Sequence, residues 1–371
     1  MILQHTSFAP ACGVKEDFFS AVTARPYENF SAEAAALLTA YDQALQQYQC
    51  SPGSEVFLKL HLSDIANQYP ILTGLLQGRK SFISIVGQPP AGFNRIALEA
   101  WHWSNTDKKI CSDNLLECNT GNHRFLWHSC QRLQSKGSFD QTCESFVDLQ
   151  QKLTSYNANV KDHTIRTWLY CRDVDNNYIG LVKGRNRFFA ENGLTSATHF
   201  IASTGIEGQA GQVDWLVKMD SVSSPELKEE NWQYLHAFDM LSPTTLYGVS
   251  FERGTRLIFG DRSHFYISGT ASIDHRGEVL YPGDVAAQTA RMLDNIEALL
   301  QEGAGALSDI KQGTLYLRDT VDAPMVEKII RRRLPDIALV TLKAPVCRPA
   351  WLVEMECIAV NAGGNASLTA L

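Results

Sequence analysis

The feature that most limits what this chain can fold into is a repeat of domain length. Trp215-Leu216-Val217-Lys218-Met219-Asp220 returns as Trp351-Leu352-Val353-Glu354-Met355-Glu356, with Lys218 in the register of Glu354. Gln141-Thr142 returns as Gln288-Thr289, a shift of 147 residues (288 − 141), and Phe146, Leu149 and Leu153 match Leu293, Ile296 and Leu300 at that shift. Two strand-like stretches end in Arg172-Asp173 and Arg318-Asp319, offset by 146 (318 − 172), while the closing strands are offset by 136 (351 − 215). Four matches in one order describe a duplicated domain with a shorter crossover in its second copy, too long to be a solenoid unit. Only the second copy keeps an acid at the 218/354 position, which points to one working site.

The length of 371 residues suits two to three domains, each able to bury its own core. A formal charge of −7 argues against nucleic acid as a partner, because phosphate binding needs a concentrated basic face. The one basic run, Arg331-Arg332-Arg333, reads as favourable charge at a helix C-terminus. Nine cysteines (12, 50, 111, 118, 130, 143, 171, 347 and 357) at irregular spacings, with no CxxC pair, argue against a disulfide framework or zinc ribbon. No apolar run approaches the ~20 residues of a membrane span, and the N-terminus lacks signal-peptide character. The expectation is a cytoplasmic protein that avoids membranes.

In the second half, 256–260 and 264–269 read as strands and about 284–302 as a helix with Asp284 as N-cap. The Arg-Asp strand follows, then a helix over about 323–333 and closing strands at 337–343 and 351–360. This order predicts an α+β unit with helices on one face of a mixed sheet. The first half repeats it over about 123–220, preceded by a helix at 28–47 and strands at 81–86 and 96–103. Residues 104–122 read as a surface loop, 221–230 as a linker and the tail from Asn361 as disordered. The expected division is 1–230, an N-terminal domain with an extension and a degenerate site, and 231–371, a C-terminal domain carrying the acid.

The strand Val353-Glu354-Met355-Glu356-Cys357-Ile358-Ala359 resembles the signature strand ending of the Rid/YjgF family over about 248–360. The whole chain resembles the chorismatases, in which two Rid/YjgF-like (chorismate-mutase-like) domains are fused. Ile201–Gly208 is similar to that family's ASTGIG loop, Ser268-Gly269-Thr270-Ala271-Ser272-Ile273 to its SGTASI strand, and 346–354 to its CRxxLLVE ending. The resemblance implies a fold of two tandem α+β domains and removal of chorismate's enolpyruvyl group as pyruvate, with no cofactor and no metal. It implies substrate contacts at Ser203, Thr204, Gly205, Gly269, Thr270 and Ala271. The Rid family's carboxylate-binding Arg is missing from both 200–204 and 337–343, which counts against an ordinary Rid deaminase.

An enol ether is inert until its methylene carbon is protonated, so the site needs an acid held neutral near pH 7. A buried strand Glu meets that need, and Glu354 is the candidate; the alternative is a rim Glu paired to an Arg. Cys347 matches the family's 3-hydroxybenzoate-forming branch, in which the substrate's own C4 hydroxyl takes part; the alternative is an inert thiol. Ala271 points instead to the hydrolytic branch that gives a dihydroxycyclohexadiene carboxylate. Two substrate carboxylates call for cationic partners, with Arg348, Arg253 and Arg185 as candidates, the last on a helix with Tyr178. Cys111, Cys118, His123, His128 and Cys130 match no zinc spacing, and Gly205-x-x-Gly208-x-x-Gly211 lacks the context of a dinucleotide fingerprint.

The expected activity is a chorismatase giving pyruvate and a hydroxybenzoate, 3-hydroxybenzoate favoured, from a monomer or homotrimer. The rivals are a Rid-type enamine/imine hydrolase and a non-catalytic small-molecule sensor.

Overall fold

The computed structural model describes every residue except 12, 52, 131 and 132. Among the described residues the strands form three sheets. The first unit comprises β1 (Ile2–Phe8), β2 (Glu16–Val22), α1 (Phe30–Gln47), β3 (Glu55–Leu62), α2 (Ile65–Leu75), β4 (Phe82–Gly87) and β5 (Ile96–Trp103). The second comprises β6 (Asp107–Ser112), β7 (Leu115–Asn119), β8 (Arg124–Ser129), α3 (Ser138–Thr154), α4 (Val160–His163), β9 (Thr164–Cys171), α5 (Val174–Glu191), β10 (Ala202–Glu207) and β11 (Val217–Ser223). The third comprises β12 (Trp232–Leu235), β13 (Gly254–Ile258), β14 (Ser263–Ala271), α6 (Val285–Glu302), β15 (Ile310–Leu317), α7 (Ala323–Arg333), β16 (Ala338–Lys343) and β17 (Val353–Asn361).

One topology recurs in all three. The orders β1-β2-β5-β3-β4, β7-β8-β11-β9-β10 and β13-β14-β17-β15-β16 place a long hairpin-like antiparallel core beside one parallel pair. The parallel pairs are β3/β4, β9/β10 and β15/β16, each joined by a crossover helix. The stretch before the first expected repeat is thus a sheet unit of its own, so the sequence divided in two what the sheets divide in three. Residues 104–122 are a β-hairpin rather than a loop. Of the expected linker 221–230, residues 221–223 complete β11, and the third sheet begins with β12 at Trp232. The tail is also ordered: Gly260 N–H donates to the Thr369 carbonyl, Asn365 N–H to Phe259, and Leu371 is buried.

The repeated Gln-Thr now has a physical reason. In α3, Gln141 accepts from the backbone N–H of Leu216 (2.7 Å) and donates to the Asp214 carbonyl. In α6, Gln288 accepts from Leu352 N–H (2.9 Å) and donates to the Ala350 carbonyl. Glu33 does the accepting in α1, taking Arg95 N–H at 3.0 Å. This clamp makes Arg95, Leu216 and Leu352 equivalent. Two residues on stand Ala97, Lys218 and Glu354; four on stand Glu99, Asp220 and Glu356.

The sheets pack around a shared centre with their helices outward. Phe57, Trp127 and Trp168 stack there, with ring centroids 5.1 and 5.8 Å from Phe57, and separate helix–sheet cores lie behind the first two sheets. Each unit meets both others through backbone hydrogen bonds: Gly87 with Gln209, Glu207 with Pro345, and Ala91 and Lys343 with Thr341 and Pro89. A Cβ on Gly211 would lie 2.6 Å from the Tyr69 ring, so this glycine serves close approach of the first two units. In the basic run, Arg333 pairs with Asp294 and Glu297 on α6, and Arg331 caps carbonyls beyond α7. No helix among the described residues is long and apolar enough to cross a membrane.

Candidate active site

The seam between the second and third units opens into a cavity of about 370 Å3. From the second unit, α5 turns Tyr178, Val182, Arg185 and Asn186 towards it, a spacing that keeps them on one helical face. β10 contributes Ser203, Thr204 and Gly205 as a strand parallel to β9, not as the expected loop. From the third unit come Gly269 and Ala271 of β14 and Glu354 of β17. The segment between β12 and β13 adds Tyr247, Phe251 and Arg253, and the turn before β17 adds Cys347, Arg348 and Trp351.

Eleven of the twelve residues singled out from sequence therefore line one cavity. Thr270 is the exception: it is buried, and its hydroxyl donates to the Ser268 carbonyl at 2.9 Å. β14 and β17 lose register between Ile267 and Thr270, so Ser268-Gly269 bulges beside the acid and sends Thr270 away from the cavity. Sequence reasoning missed Tyr247, Phe251 and Asn186. The first two lie on an irregular segment with no periodicity, and Asn186 looks like an ordinary surface residue of α5.

Glu354 is 6% exposed and has no hydrogen bond or ion pair among the described residues. Burial, and then the charge of Glu356, push its carboxyl up to about 8, against opposing pulls from Arg253 and Arg166. It is therefore mostly a neutral acid near pH 7. A Cβ on Gly269 would lie 2.2 Å from its Oε1, so any side chain there would push this carboxyl aside. Gly269→Ala is expected to lower kcat by about 10²-fold through displacement of the acid, checked by steady-state kinetics with a melting curve as control.

The cationic lining is under-partnered. Arg185 is 1% exposed, and its Nε and Nη2 have no hydrogen-bond partner among the described residues. Its guanidinium faces the Tyr178 hydroxyl, which in turn faces the Cys347 thiol. Burial lowers its pKa below the usual arginine range, a sign of a charge that lacks a counter-ion. Arg253 donates from Nη2 to the Ser242 carbonyl (3.0 Å) and hydroxyl (3.4 Å) and leaves Nε unpaired. Arg348 stacks on Tyr247 and Trp351, 4.5 and 4.9 Å from the ring centroids. Burial pushes the Cys347 thiol up to about 12, so it is no thiolate at pH 7.

The seam of the first and second units also holds a cavity, of about 550 Å3, but its lining carries no counterpart of the acid. Lys218, in the position of Glu354, donates to Ser84 (3.0 Å), Ser129 (3.5 Å) and Asp220, which uses up its ammonium protons. Ala97 holds the position in the first unit. The five potential metal ligands have separate environments: Cys118 and Cys130 are buried, Cys111 is exposed, His123 bonds Thr369 and His128 bonds Asp148. Cys12 lies outside the described residues.

Residues 259–361 match the family model described as Endoribonuclease L-PSP. Over 96 residues, 25% of this chain, the protein is 29% identical to a 3-aminoacrylate deaminase RutC from Acinetobacter baylyi, covering 76% of that protein. A RutC family protein from Pyrococcus abyssi matches to the same extent and identity. A solved chorismatase structure aligns with TM-score 0.68 at 18% identity, covering 95% of this chain and 99% of its own. The chain thus contains an Endoribonuclease L-PSP-type domain and has, across nearly its whole length, the fold of a chorismatase.

Proposed function

We propose that the protein is a chorismatase working at the seam of its second and third units. The observation that carries this reading is a neutral, unpartnered Glu354 in a cavity walled by arginines that lack counter-ions. A dicarboxylate enol ether satisfies both halves of that pattern. Arg185, with Arg253 or Arg348, takes the carboxylates. The Glu354 proton goes to the enolpyruvyl methylene carbon, leaving a carboxylate beside the oxocarbenium ion it stabilises. Addition of an oxygen nucleophile to that cation and cleavage of the ether bond release pyruvate.

The nucleophile decides the product. Water gives the diene diol and is consumed. When the substrate's C4 hydroxyl adds instead, giving its proton back to the Glu354 carboxylate, elimination of the C3 proton with cleavage of the C4–O bond aromatises the ring. The hemiketal left on the C3 oxygen then collapses, so that the C4 oxygen leaves as the carbonyl oxygen of pyruvate and the C3 oxygen stays as the phenol of 3-hydroxybenzoate, with no water taken up. Cys347 as a neutral thiol beside Tyr178 suits the second course, and 3-hydroxybenzoate is the product we favour. Ala271 leaves the cavity wall small in either case. Because the three units already pair with one another within one chain, the monomer is favoured over a homotrimer.

Products of chorismate turnover, separated by chromatography and weighed, test the reading. Pyruvate with 3-hydroxybenzoate is expected. Pyruvate with a diol one water heavier would move the protein to the hydrolytic branch. No pyruvate, together with ammonia release from amino-acid-derived imines, would favour the deaminase-like reading that the RutC match supports.

A further inference from the structure

Arg166, on strand β9 between β10 and β11 of the second unit, reaches into the third unit but does not line the cavity. It is 2% exposed. Its Nη1 donates to the Ser268 hydroxyl at 3.0 Å, and its Nη2 to Thr204 Oγ1 and, at 2.7 Å, to Glu356 Oε2. We propose that Arg166 is the positioning residue of the active site, holding Glu354 in register with the opposite unit by pinning the bulge beside it. The inference rests on the proposed function for its kinetic arm only.

The geometry is specific. Ser268 and Gly269 form the bulge opposite Glu356, and Gly269 is the residue that abuts the Glu354 carboxyl. The Ser268 hydroxyl accepts from Arg166 and from Ser203 N–H (2.9 Å) and donates to the Glu252 carbonyl (2.6 Å). Thr204 Oγ1 accepts from Arg166 and from Gly269 N–H (2.9 Å). One guanidinium thus ties together the β10 wall, the bulge and the acid's neighbour on β17. A planar fork can do this where an ammonium cannot. Glu356 is held further by Trp168 Nε1 (2.9 Å) and Lys59 (3.5 Å).

The same group shapes the field at Glu354. The charged and titratable neighbours of that carboxyl are Glu356 on its own strand, Arg253 before β13, Arg166 on β9, and Cys347 and Tyr178 across the cavity. Glu356 raises its pKa and Arg166 lowers it. Loss of the Arg166 charge therefore moves the titration of Glu354 to higher pH, and Arg166→Lys, which keeps the charge, leaves it in place.

The test uses Arg166→Gln, Arg166→Lys and the milder Ser268→Ala in the full chain. For turnover, Arg166→Lys is expected to lower kcat by about 10²-fold with KM little changed, since misplacement of the acid costs rate and not binding. Ser268→Ala should lose a smaller factor in the same sense. Independently of any substrate, the Glu354 carboxyl is titrated by infrared difference against Glu354→Gln. Its midpoint should rise in Arg166→Gln and stay in Arg166→Lys. Unchanged kcat in both Arg166→Lys and Ser268→Ala, or equal losses in kcat/KM and thermal stability with an unmoved midpoint, would overturn the inference. Absence of turnover in the wild type would defeat the proposed function alone and leave the titration to decide this one.

Discussion

Glu354→Gln is expected to abolish turnover, lowering kcat by at least about 10³-fold while chorismate still binds. The amide keeps the shape and neutrality of the protonated side chain but has no proton to give to carbon, and general acid catalysis supplies about 10²–10⁴-fold by itself. Measured kcat with an independent binding isotherm separates this from a collapsed pocket. The substitution should also stabilise the empty protein at alkaline pH. Below about pH 4.5 the carboxyl is protonated in both folded and unfolded chains. Between 4.5 and about 8 the unfolded chain releases its proton while the folded one retains it, so stability falls as pH rises. That interval corresponds to about 5 kcal/mol, which the glutamine variant would not lose. Urea unfolding at pH 5 and pH 8 reads the difference directly.

Arg185→Met is expected to move affinity and stability in opposite directions. The wild-type guanidinium is buried with two unpaired nitrogens, a costly arrangement in the empty protein. Replacing it with an apolar chain should raise the melting temperature, reflecting about 1–2 kcal/mol of relieved desolvation. With it goes a charge-assisted bond to a substrate carboxylate of about 2–3 kcal/mol, so KM should rise by about 10²-fold. A variant that is less stable and binds equally well would show Arg185 to be structural.

How legible this was in the sequence follows from what each residue is asked to do. α6 and α7 fell where periodicity and Asp284 placed them, because an amphipathic face and a cap are local properties. The repeat was visible between the second and third units because both keep the Gln clamp and the Trp that precedes the final strand. In the first unit the clamp is Glu33, Asn94 replaces the Trp and Ala97 the acid. Topology survived there while its sequence markers did not, so a third sheet passed for an extension. The cavity residues were found because the motif segments 203–205, 268–271 and 347–354 converge on one seam. Arg166 was missed because its partners, Thr204, Ser268 and Glu356, lie on other strands. The one local sign was a lone charge inside the otherwise uncharged strand Thr164–Cys171. Thr270, expected at the site from the resemblance of 268–273, is turned away from the cavity by the bulge that precedes it.

The most direct measurement is pyruvate release from chorismate by the wild type and Glu354→Gln across pH 5–9. The expected result is a wild-type rate that holds at neutral pH and declines as the pH rises through about 8, where Glu354 loses its proton, and no release by the variant. Release by Glu354→Gln at the wild-type rate, or a wild-type protein that leaves chorismate intact at every pH, would contradict the assignment of Glu354 as the acid that opens the enol ether.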